Sequence, residues 1–262
     1  MTDQDERAAR EKRHGSTSAI TIRNLVYEVP QKRVLNNINL DIKEGEIVSI
    51  MGQSGSGKTT MLKLLTGLLK PTSGEILIDA VDITGLKENE LDQVRLKMGL
   101  VFQYAALLDS LTVYDNIVFA VVRHRKGLSK ADLDELVRDR LEQVELKGVE
   151  DRYPSELSGG MQKRVGLARA LAMDPSIVFY DEPTSGLDPI TSNTIDELIM
   201  ETRRRLGVTS VVVSHQLSSI FRISDHVAML DKGEIVVYGT PDEVQKASNQ
   251  IVQEFIHPEI KG

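Results

Sequence analysis

The octapeptide GQSGSGKT at positions 52–59 matches the pattern G-x-x-x-x-G-K-[ST] and decides the fold expected of this chain. It follows the apolar run EIVSIM at positions 46–51 and precedes the helix-like segment TMLKLL at positions 60–65. This order of strand, glycine loop and helix is typical of a phosphate-binding loop, because backbone N–H groups of the loop and of the helix start converge on phosphate oxygens. We therefore expect a nucleoside triphosphate, with Lys58 on the β- and γ-phosphates and the Thr59 hydroxyl on Mg²⁺. A flexible glycine turn is the alternative, and the complete spacing in this context argues against it.

The composition limits the function classes without choosing one. The chain of 262 residues is long enough for one sizeable α/β core or for two small domains. Its 32 Lys and Arg residues against 39 Asp and Glu residues give a net charge of −7, which does not favour nucleic acid or an anionic membrane surface. The absence of cysteine excludes disulfides, cysteine nucleophiles and thiolate metal sites, and it fits a reducing compartment.

The sequence also lacks the signals of a membrane or secreted protein. No apolar run approaches the roughly 18 residues that a membrane-spanning helix needs. Residues 1–18 are polar and charged, without the apolar segment of a secretory signal, and they are predicted to form a disordered tail. Any membrane association is therefore expected to come through a partner.

Alternating strand and helix patterns predict an α/β fold. Apolar runs bounded by turn residues predict strands at positions 19–22, 34–40, 46–51, 75–78, 176–180, 210–213 and 227–230. A helix to about Leu69 follows the glycine loop, and a mainly helical stretch is expected from Glu88 to Leu146. Strands and helices in such alternation favour an open parallel sheet with helices on both faces.

Three of the predicted strands end in polar residues. One runs into the glycine loop, another ends at Asp181 and Glu182, and a third ends at Ser214 and His215. Ligands of such sheets bind beyond the carboxyl ends of the strands, so these three clusters are expected to converge on one site.

Two adjacent carboxylates at one strand end fit the chemistry of phosphoryl transfer. Asp181 is expected to hold Mg²⁺, directly or through water, and Glu182 is expected to polarise the attacking water as a general base. His215 is expected to hydrogen-bond the γ-phosphate and to help hold the water. The alternative readings are turn or cap residues for the carboxylates and a structural role for the histidine.

A second glycine-rich helix start occurs at positions 157–162, LSGGMQ. Ser158 is a natural N-cap, and the backbone donors behind it could bind phosphate. An ordinary Ser-Gly helix cap is the alternative, and composition alone favours it.

Together these residues resemble the nucleotide-binding subunits of ABC transporters. The matching segments are Walker A at 52–59, the Q-loop at Gln103, the LSGGQ signature at 157–162 with Met161 in place of the usual Gln, Walker B at 177–182, the D-loop at 185–188 and the H-loop at His215. Six motifs in this order, over residues 20–240, are highly specific. The resemblance implies a P-loop NTPase fold of the RecA-like type, with a small antiparallel β subdomain and an inserted helical subdomain at about 104–165. It bounds the ATPase domain at 19–245, leaving 246–262 as a C-terminal tail.

The same resemblance implies a site shared by two copies of the chain that face each other head to tail. Nucleotide contacts are implied for Gly52, Gln53, Ser54, Gly55, Ser56, Gly57, Lys58, Thr59 and Thr60, and from the second copy for Ser158, Gly159 and Gly160. Catalytic roles are implied for Glu182, His215 and Gln103, and Mg²⁺ contacts for Thr59, Gln103 and Asp181. The implied cofactors are therefore ATP and Mg²⁺.

The aromatic residue that stacks on adenine in this family is harder to assign. Tyr27 lies near the expected position, but the usual spacing falls on Val29. Both side chains could share one strand face, since they are two residues apart. Core packing is the alternative role for Tyr27.

A finer resemblance indicates the kind of transporter. Residues 101–117, VFQYAALLDSLTVYDNI, are similar to a segment of the Mla/Mce-type lipid-transport ATPases, as are residues 188–191, 207–215 and 252–256. This implies permease subunits, an Mce-domain lipid-binding protein and a place at the cytoplasmic face of the inner membrane. Residues 107–122 are unusually apolar. Core packing explains most of this character, and a groove that receives a permease helix would explain the rest.

Two alternatives remain open at the sequence level. A small-solute importer would differ from a lipid transporter only in its partners. A soluble ABC ATPase of DNA repair or of the ribosome is less favoured, because about 100 residues without sustained heptads separate Walker A from the signature and no second Walker A is present.

Overall fold

The computed structural model describes residues 18–257. Its strands are β1 Ser18–Val29, β2 Lys32–Lys43, β3 Ile47–Met51, β4 Ser73–Ile78, β5 Val81–Asp82, β6 Met98–Val101, β7 Ile177–Asp181, β8 Thr209–Val213, β9 His226–Asp231 and β10 Glu234–Gly239. Its α-helices are α1 Lys58–Leu65, α2 Glu88–Arg95, α3 Val113–Val118, α4 Val121–His124, α5 Lys130–Gln143, α6 Gly159–Leu171, α7 Pro189–Leu206, α8 Leu217–Ile223, α9 Pro241–Gln245 and α10 Gln250–Ile256.

The larger sheet carries the site. Its strand order is β10-β9-β3-β8-β7-β6, and all neighbours are parallel except β10 and β9. Alternate residues of the central strands face different cores: Val211 and Val213 join one apolar cluster, and Val212 joins another. A strand buried on both faces must be apolar throughout, which explains the unbroken apolar runs in the sequence. The expected α/β architecture is confirmed.

The smaller sheet is antiparallel, with the order β2-β1-β4-β5. The strands β1 and β2 are each 12 residues long and pair with several register shifts. Apolar residues of this sheet, such as Ile20 and Ile38, join the same cluster as one face of the larger sheet and as α1. The antiparallel subdomain implied by the family resemblance is therefore present, packed over the helix that follows the glycine loop.

The stretch expected to be mainly helical contains a strand. Residues 98–101 form β6, which pairs in parallel with β7 at the edge of the larger sheet. The prediction failed here because the strand is only four residues long and has helices before and after it in the chain. The helices α3 to α6 follow β6 and pack together with α7 over the second face of the sheet.

The structure describes different parts of the two predicted terminal tails. Residues 1–17 of the predicted N-terminal tail lie outside the described residues, and Ser18 already belongs to β1. The segment predicted as a C-terminal tail, 246–262, contains α10, which buries Val252 completely in a cluster with Met229 and Val244. Residues 258–262 lie outside the described residues. Among residues 18–257, no helix is both long enough and apolar enough to cross a bilayer.

Candidate active site

A cavity of about 850 Å³ lies at the carboxyl ends of three adjacent strands, β3, β8 and β7. These ends are level, since Ile50 of β3 and Asp181 of β7 both pair with Val213 of β8. The cavity is lined by Lys32, Val34, Gly52, Gln53, Ser54, Gly55, Gly57, Lys58, Thr59, Thr60, Gln103, Glu182, His215, Leu217 and Phe255. Residues that follow all three strands therefore line one cavity, as expected from the sequence.

Glycine is required at two points of the loop by both backbone conformation and space. Gly52 has φ 150°, and a Cβ placed there would lie 2.1 Å from the carbonyl oxygen of Leu230. Gly57 has φ 113° and caps the N-terminus of α1, and its Cβ would lie 2.7 Å from a methyl group of Leu35. The loop can therefore pass this close to β9 and β2 only without side chains at these positions.

Lys58 holds the loop from inside. Its ammonium group donates hydrogen bonds to the carbonyl oxygens of Gly52, at 2.8 Å, and of Gln53, at 3.0 Å. Burial lowers the pKa of Lys58, and the nearby carboxylates of Glu182 and Asp181 act in the opposite direction. An ammonium group has three donors, so one donor remains beyond these two bonds for a ligand in the cavity.

Glu182 is held in an unusual conformation beside the cavity. Its backbone is left-handed, with φ 49°, and its N–H donates to the carbonyl oxygen of Val213 at 2.8 Å. The carboxylate accepts hydrogen bonds from the hydroxyl of Ser214 at 3.2 Å and from the backbone N–H of His215 at 3.4 Å, and it lies 2.8 Å from Nδ1 of His215. A non-glycine residue in this region is strained by roughly 1–3 kcal/mol, a feature that is common at functional sites. The end of β8 therefore fixes the orientation of the carboxylate that faces the cavity.

Asp181 is the last residue of β7 and is half-buried. Burial raises the pKa of Asp181, the neighbouring Glu182 raises it further, and Lys63 and Lys58 oppose this shift. A carboxylate whose charge is disfavoured in this way is stabilised by a nearby cation.

Gln103 connects the cavity to the loop after Walker B. Its side-chain nitrogen donates to the hydroxyl of Ser185 at 3.2 Å. The turn that follows Gln103 contains two successive left-handed residues, Ala105 with φ 57° and Ala106 with φ 47°. The guanidinium group of Arg169 on α6 donates to both of their carbonyl oxygens, at 2.8 and 2.7 Å. Helix α6 therefore stabilises the strained turn beside Gln103.

Five predicted nucleotide contacts are not among the described residues that line the cavity. Ser56 is buried within the glycine loop. Tyr27 is half-buried and packs against the core beneath the antiparallel sheet, which is the alternative role considered from the sequence. Ser158 caps α6 by accepting a hydrogen bond from the backbone N–H of Met161, and Gly159 and Gly160 form the first turn of that helix. The signature residues thus lie away from the phosphate loop of their own chain.

Four residues that line the cavity were not predicted from the sequence. Lys32 and Val34 belong to β2, Leu217 begins α8, and Phe255 lies on α10. None of them stands in a chemical motif, and Phe255 falls within the predicted C-terminal tail. Only the packing of three distant chain segments brings them to the glycine loop.

Comparison with known proteins decides the family. The family model described as ABC transporter matches residues 35–185, more than half of the chain. This protein belongs to the ABC transporter family. The fold and the family inferred from the six motifs are therefore confirmed.

Similar proteins differ in the transport process that they serve. The ABC protein is 39% identical over 243 residues to the intermembrane phospholipid transport system ATP-binding protein MlaF of Haemophilus influenzae, covering 93% of this chain and 92% of that one. It is 41% identical over 242 residues to the methionine import ATP-binding protein MetN of Carboxydothermus hydrogenoformans, covering 91% and 71%. A solved dimeric structure of the ATP-binding cassette MJ0796 with ADP and phosphate is 36% identical, with a TM-score of 0.78 over 85% of this chain and 98% of that chain.

The activity follows from family and site together. As an ATP-binding subunit of an ABC transporter, the protein binds ATP and hydrolyses it to ADP and phosphate in order to drive transport. The cavity at the carboxyl ends of β3, β8 and β7 brings together the glycine loop, Glu182 and His215.

Proposed function

We propose that this ABC ATPase powers the movement of phospholipid or a related lipid between membranes, together with permease subunits and an Mce-type lipid-binding protein. The observation that carries the proposal is the similarity to MlaF over nearly the whole of both chains. The resemblance of residues 101–117 to the lipid-transport ATPases is part of this similarity and extends beyond the phosphate-binding loop. In this proposal the chain works at the cytoplasmic face of the inner membrane, held there by the permease subunits.

A small-solute importer is the second candidate, and the similarity to MetN favours it. The test is purification of the protein with its native membrane partners, followed by mass spectrometry of the co-purified proteins and lipids. An Mce-domain protein carrying phospholipid is the expected result. A solute-binding protein in its place, with no Mce-domain protein, would overturn the lipid proposal and leave the ATPase assignment unchanged.

A groove beside the Gln103 turn, lined by both apolar and charged side chains, is the proposed contact with the permease. It has a volume of about 670 Å³, and its lining includes Phe102, Leu108 and Phe119, which are 38%, 40% and 48% exposed. Such exposure of large apolar side chains in one groove is unusual for a surface that faces only water. The arrangement fits an amphipathic helix that buries its apolar face.

Asn116 fixes the shape of this groove. Its side chain is fully buried, its oxygen accepts from the backbone N–H of Leu108 at 2.8 Å, and its nitrogen donates to carbonyl oxygens of Leu108, Leu111 and Thr112 at 2.9–3.2 Å. Leu108 is therefore held rigidly at the surface. Leu111 is not among the described residues that line the groove, so Leu108 is the better position for a test.

The Leu108→Glu substitution is expected to leave ATP binding and unstimulated ATP hydrolysis within about twofold of wild type. It is expected to reduce transport at least roughly tenfold, because a docked apolar helix would remove the new carboxylate from water. Transport is measured as lipid transfer by the reconstituted complex. Leu128→Glu is the matched control, since Leu128 is 39% exposed and lies at the start of α5 outside the groove. Normal transport by the Leu108 variant would contradict the proposed contact.

The residues at the cavity fit Mg²⁺ as well as ATP. The expected ligands, Thr59, Gln103 and Asp181, offer a hydroxyl, an amide and a carboxylate oxygen, which are the donors that Mg²⁺ prefers. The hydrogen bond from the Gln103 nitrogen to Ser185 leaves the amide oxygen available. When bound, Mg²⁺ would neutralise charge on the phosphate oxygens. Lys58 binds the β- and γ-phosphates, Glu182 takes the proton of the attacking water, and His215 holds the γ-phosphate in this proposal.

The second half of the nucleotide site comes from a second copy of the chain. In this arrangement Ser158, Gly159 and Gly160 bind the γ-phosphate of the ATP held by the partner, through the N-terminus of α6. The dimeric form of the similar cassette MJ0796 supports this proposal. So does the position of these residues outside the lining of the cavity in their own chain.

A further inference from the structure

Lys163 is a buried lysine whose partners are all backbone carbonyl groups. It lies on α6, one turn after the signature glycines, and is 7% exposed. Its ammonium group donates to the carbonyl oxygens of Ser185 at 2.6 Å, of Pro183 at 2.8 Å and of Glu182 at 3.5 Å. The three donors of a lysine are thus matched by three acceptors of one short loop.

This loop is the one that carries the general base. Glu182 has the left-handed backbone described above, and the next residues turn away from β7, so their carbonyl oxygens are gathered on one side instead of pairing within the sheet. Gathered carbonyl oxygens repel each other, and an ammonium group among them offsets this repulsion. Burial lowers the pKa of Lys163, and the charge of Glu182 opposes this shift.

The same loop contacts the other catalytic groups. Ser185 accepts a hydrogen bond from Gln103, and the hydroxyl of Thr184 donates to the side chain of Gln216 at 2.7 Å, next to His215. A change in the path of residues 182–185 would therefore move the carboxylate of Glu182 away from Ser214 and His215, and would also separate Ser185 from Gln103.

We propose that Lys163 is a positioning residue for ATP hydrolysis, which holds residues 182–185 in the conformation that keeps the carboxylate of Glu182 on Ser214 and His215. This inference rests on the proposed role of Glu182 as the general base. It assigns to the signature helix of the chain a function in its own active site, separate from the contact of Ser158–Gly160 with the nucleotide of a second copy.

The test compares Lys163→Met with Lys163→Arg and with Arg164→Met in the full-length protein. Lys163→Met keeps the length of the side chain and removes the donors, so kcat is expected to fall roughly 10-fold to 100-fold while the Kd for ATP changes less than about threefold. Lys163→Arg, which still donates to carbonyl groups, is expected to recover part of the loss. Arg164 is the control, since its side chain donates to Glu145 at the surface, and its variant should keep wild-type kcat.

A lysine that only stabilised the fold would lower thermal stability without changing kcat of the folded protein. ATP binding and the thermal midpoint of each variant are therefore measured beside kcat, and Lys163→Ala, which also removes the donors, replaces the Met variant if that protein does not bind ATP. Wild-type kcat in whichever variant binds ATP normally would overturn the proposal.

A double-mutant cycle tests the route through Glu182. If Lys163 acts by positioning that carboxylate, adding Lys163→Met to Glu182→Gln should lower the residual rate by less than about twofold. A second full loss in the double variant would overturn the proposed route. Near wild-type turnover of Glu182→Gln alone would instead refute the general-base assignment, so the two failures are distinguishable.

Discussion

The Glu182→Gln substitution is expected to lower kcat for ATP hydrolysis by about 100-fold to 10,000-fold, the range typical of a lost general base. The amide has nearly the shape of the carboxylate, and its oxygen can still accept from Ser214 or from His215. It cannot take a proton from water at neutral pH. ATP should therefore bind with an affinity within about threefold of wild type and accumulate, uncleaved, in a closed dimer.

Three measurements check this prediction: phosphate release at saturating ATP, binding of a fluorescent ATP analogue, and the dimer fraction on a sizing column with ATP. Glu142→Gln is the control, because Glu142 has the same side chain on α5 and is 64% exposed. Turnover of the Glu182 variant close to wild type would show that another group activates the water. Loss of binding together with turnover would show that Glu182 shapes the cavity instead of serving as the base.

Lys58→Ala is expected to act at the binding step, raising the Kd for ATP by roughly 10-fold to 100-fold, because a hydrogen bond to a charged group contributes about 1.5–3 kcal/mol. The fold should tolerate the change. Lys58 is buried, and within residues 18–257 it makes no direct ion pair. Its two carbonyl partners lie in a loop beside the open cavity, where water can replace the ammonium group.

Calorimetric titration with ATP and a thermal melt without nucleotide separate these two effects. Lys70→Ala removes the same charge from an exposed position after α1 and should leave both measurements unchanged. An unchanged Kd in the Lys58 variant would refute the phosphate contact. A large drop in the thermal midpoint without nucleotide would mean that Lys58 mainly holds the loop.

Local chemistry made much of the site predictable from the sequence. Gly52 and Gly57 are required by their own positive φ angles and by neighbours one strand away, so a glycine pattern reveals them directly. The strand ends at Asp181 and at His215 can also be recognised in the sequence, since a strand buried on both faces permits polar residues only where it ends. From the sequence, these rules predict that Lys58, Glu182 and His215 lie at one site.

The strand face on which Tyr27 lies could not be predicted by such rules. Its face of the strand was inferred from the alternation of side chains, but β1 has register shifts on both sides of Tyr27 in its pairing with β2. Each irregularity of this kind can turn the following side chains to the other face of a strand. The sequence carries no clear signal for these shifts, so the expected adenine contact stays a prediction while the structure packs Tyr27 against the core.

The sequence by itself determined the α/β fold, the phosphate loop and the carboxylate at the end of β7, because each depends on residues that are neighbours in the chain. Only the tertiary structure decided which side chains surround them. Phe255 reaches the cavity through the packing of α10, and Lys163 reaches the loop of Glu182 from a helix that begins more than 20 residues earlier. The sequence does not reveal which carbonyl groups accept hydrogen bonds from a lysine, since every residue has a carbonyl group whatever its side chain. For that reason the octapeptide indicates the nucleotide site, whereas the contact of Lys163 with the loop of Glu182 is visible only in the tertiary structure.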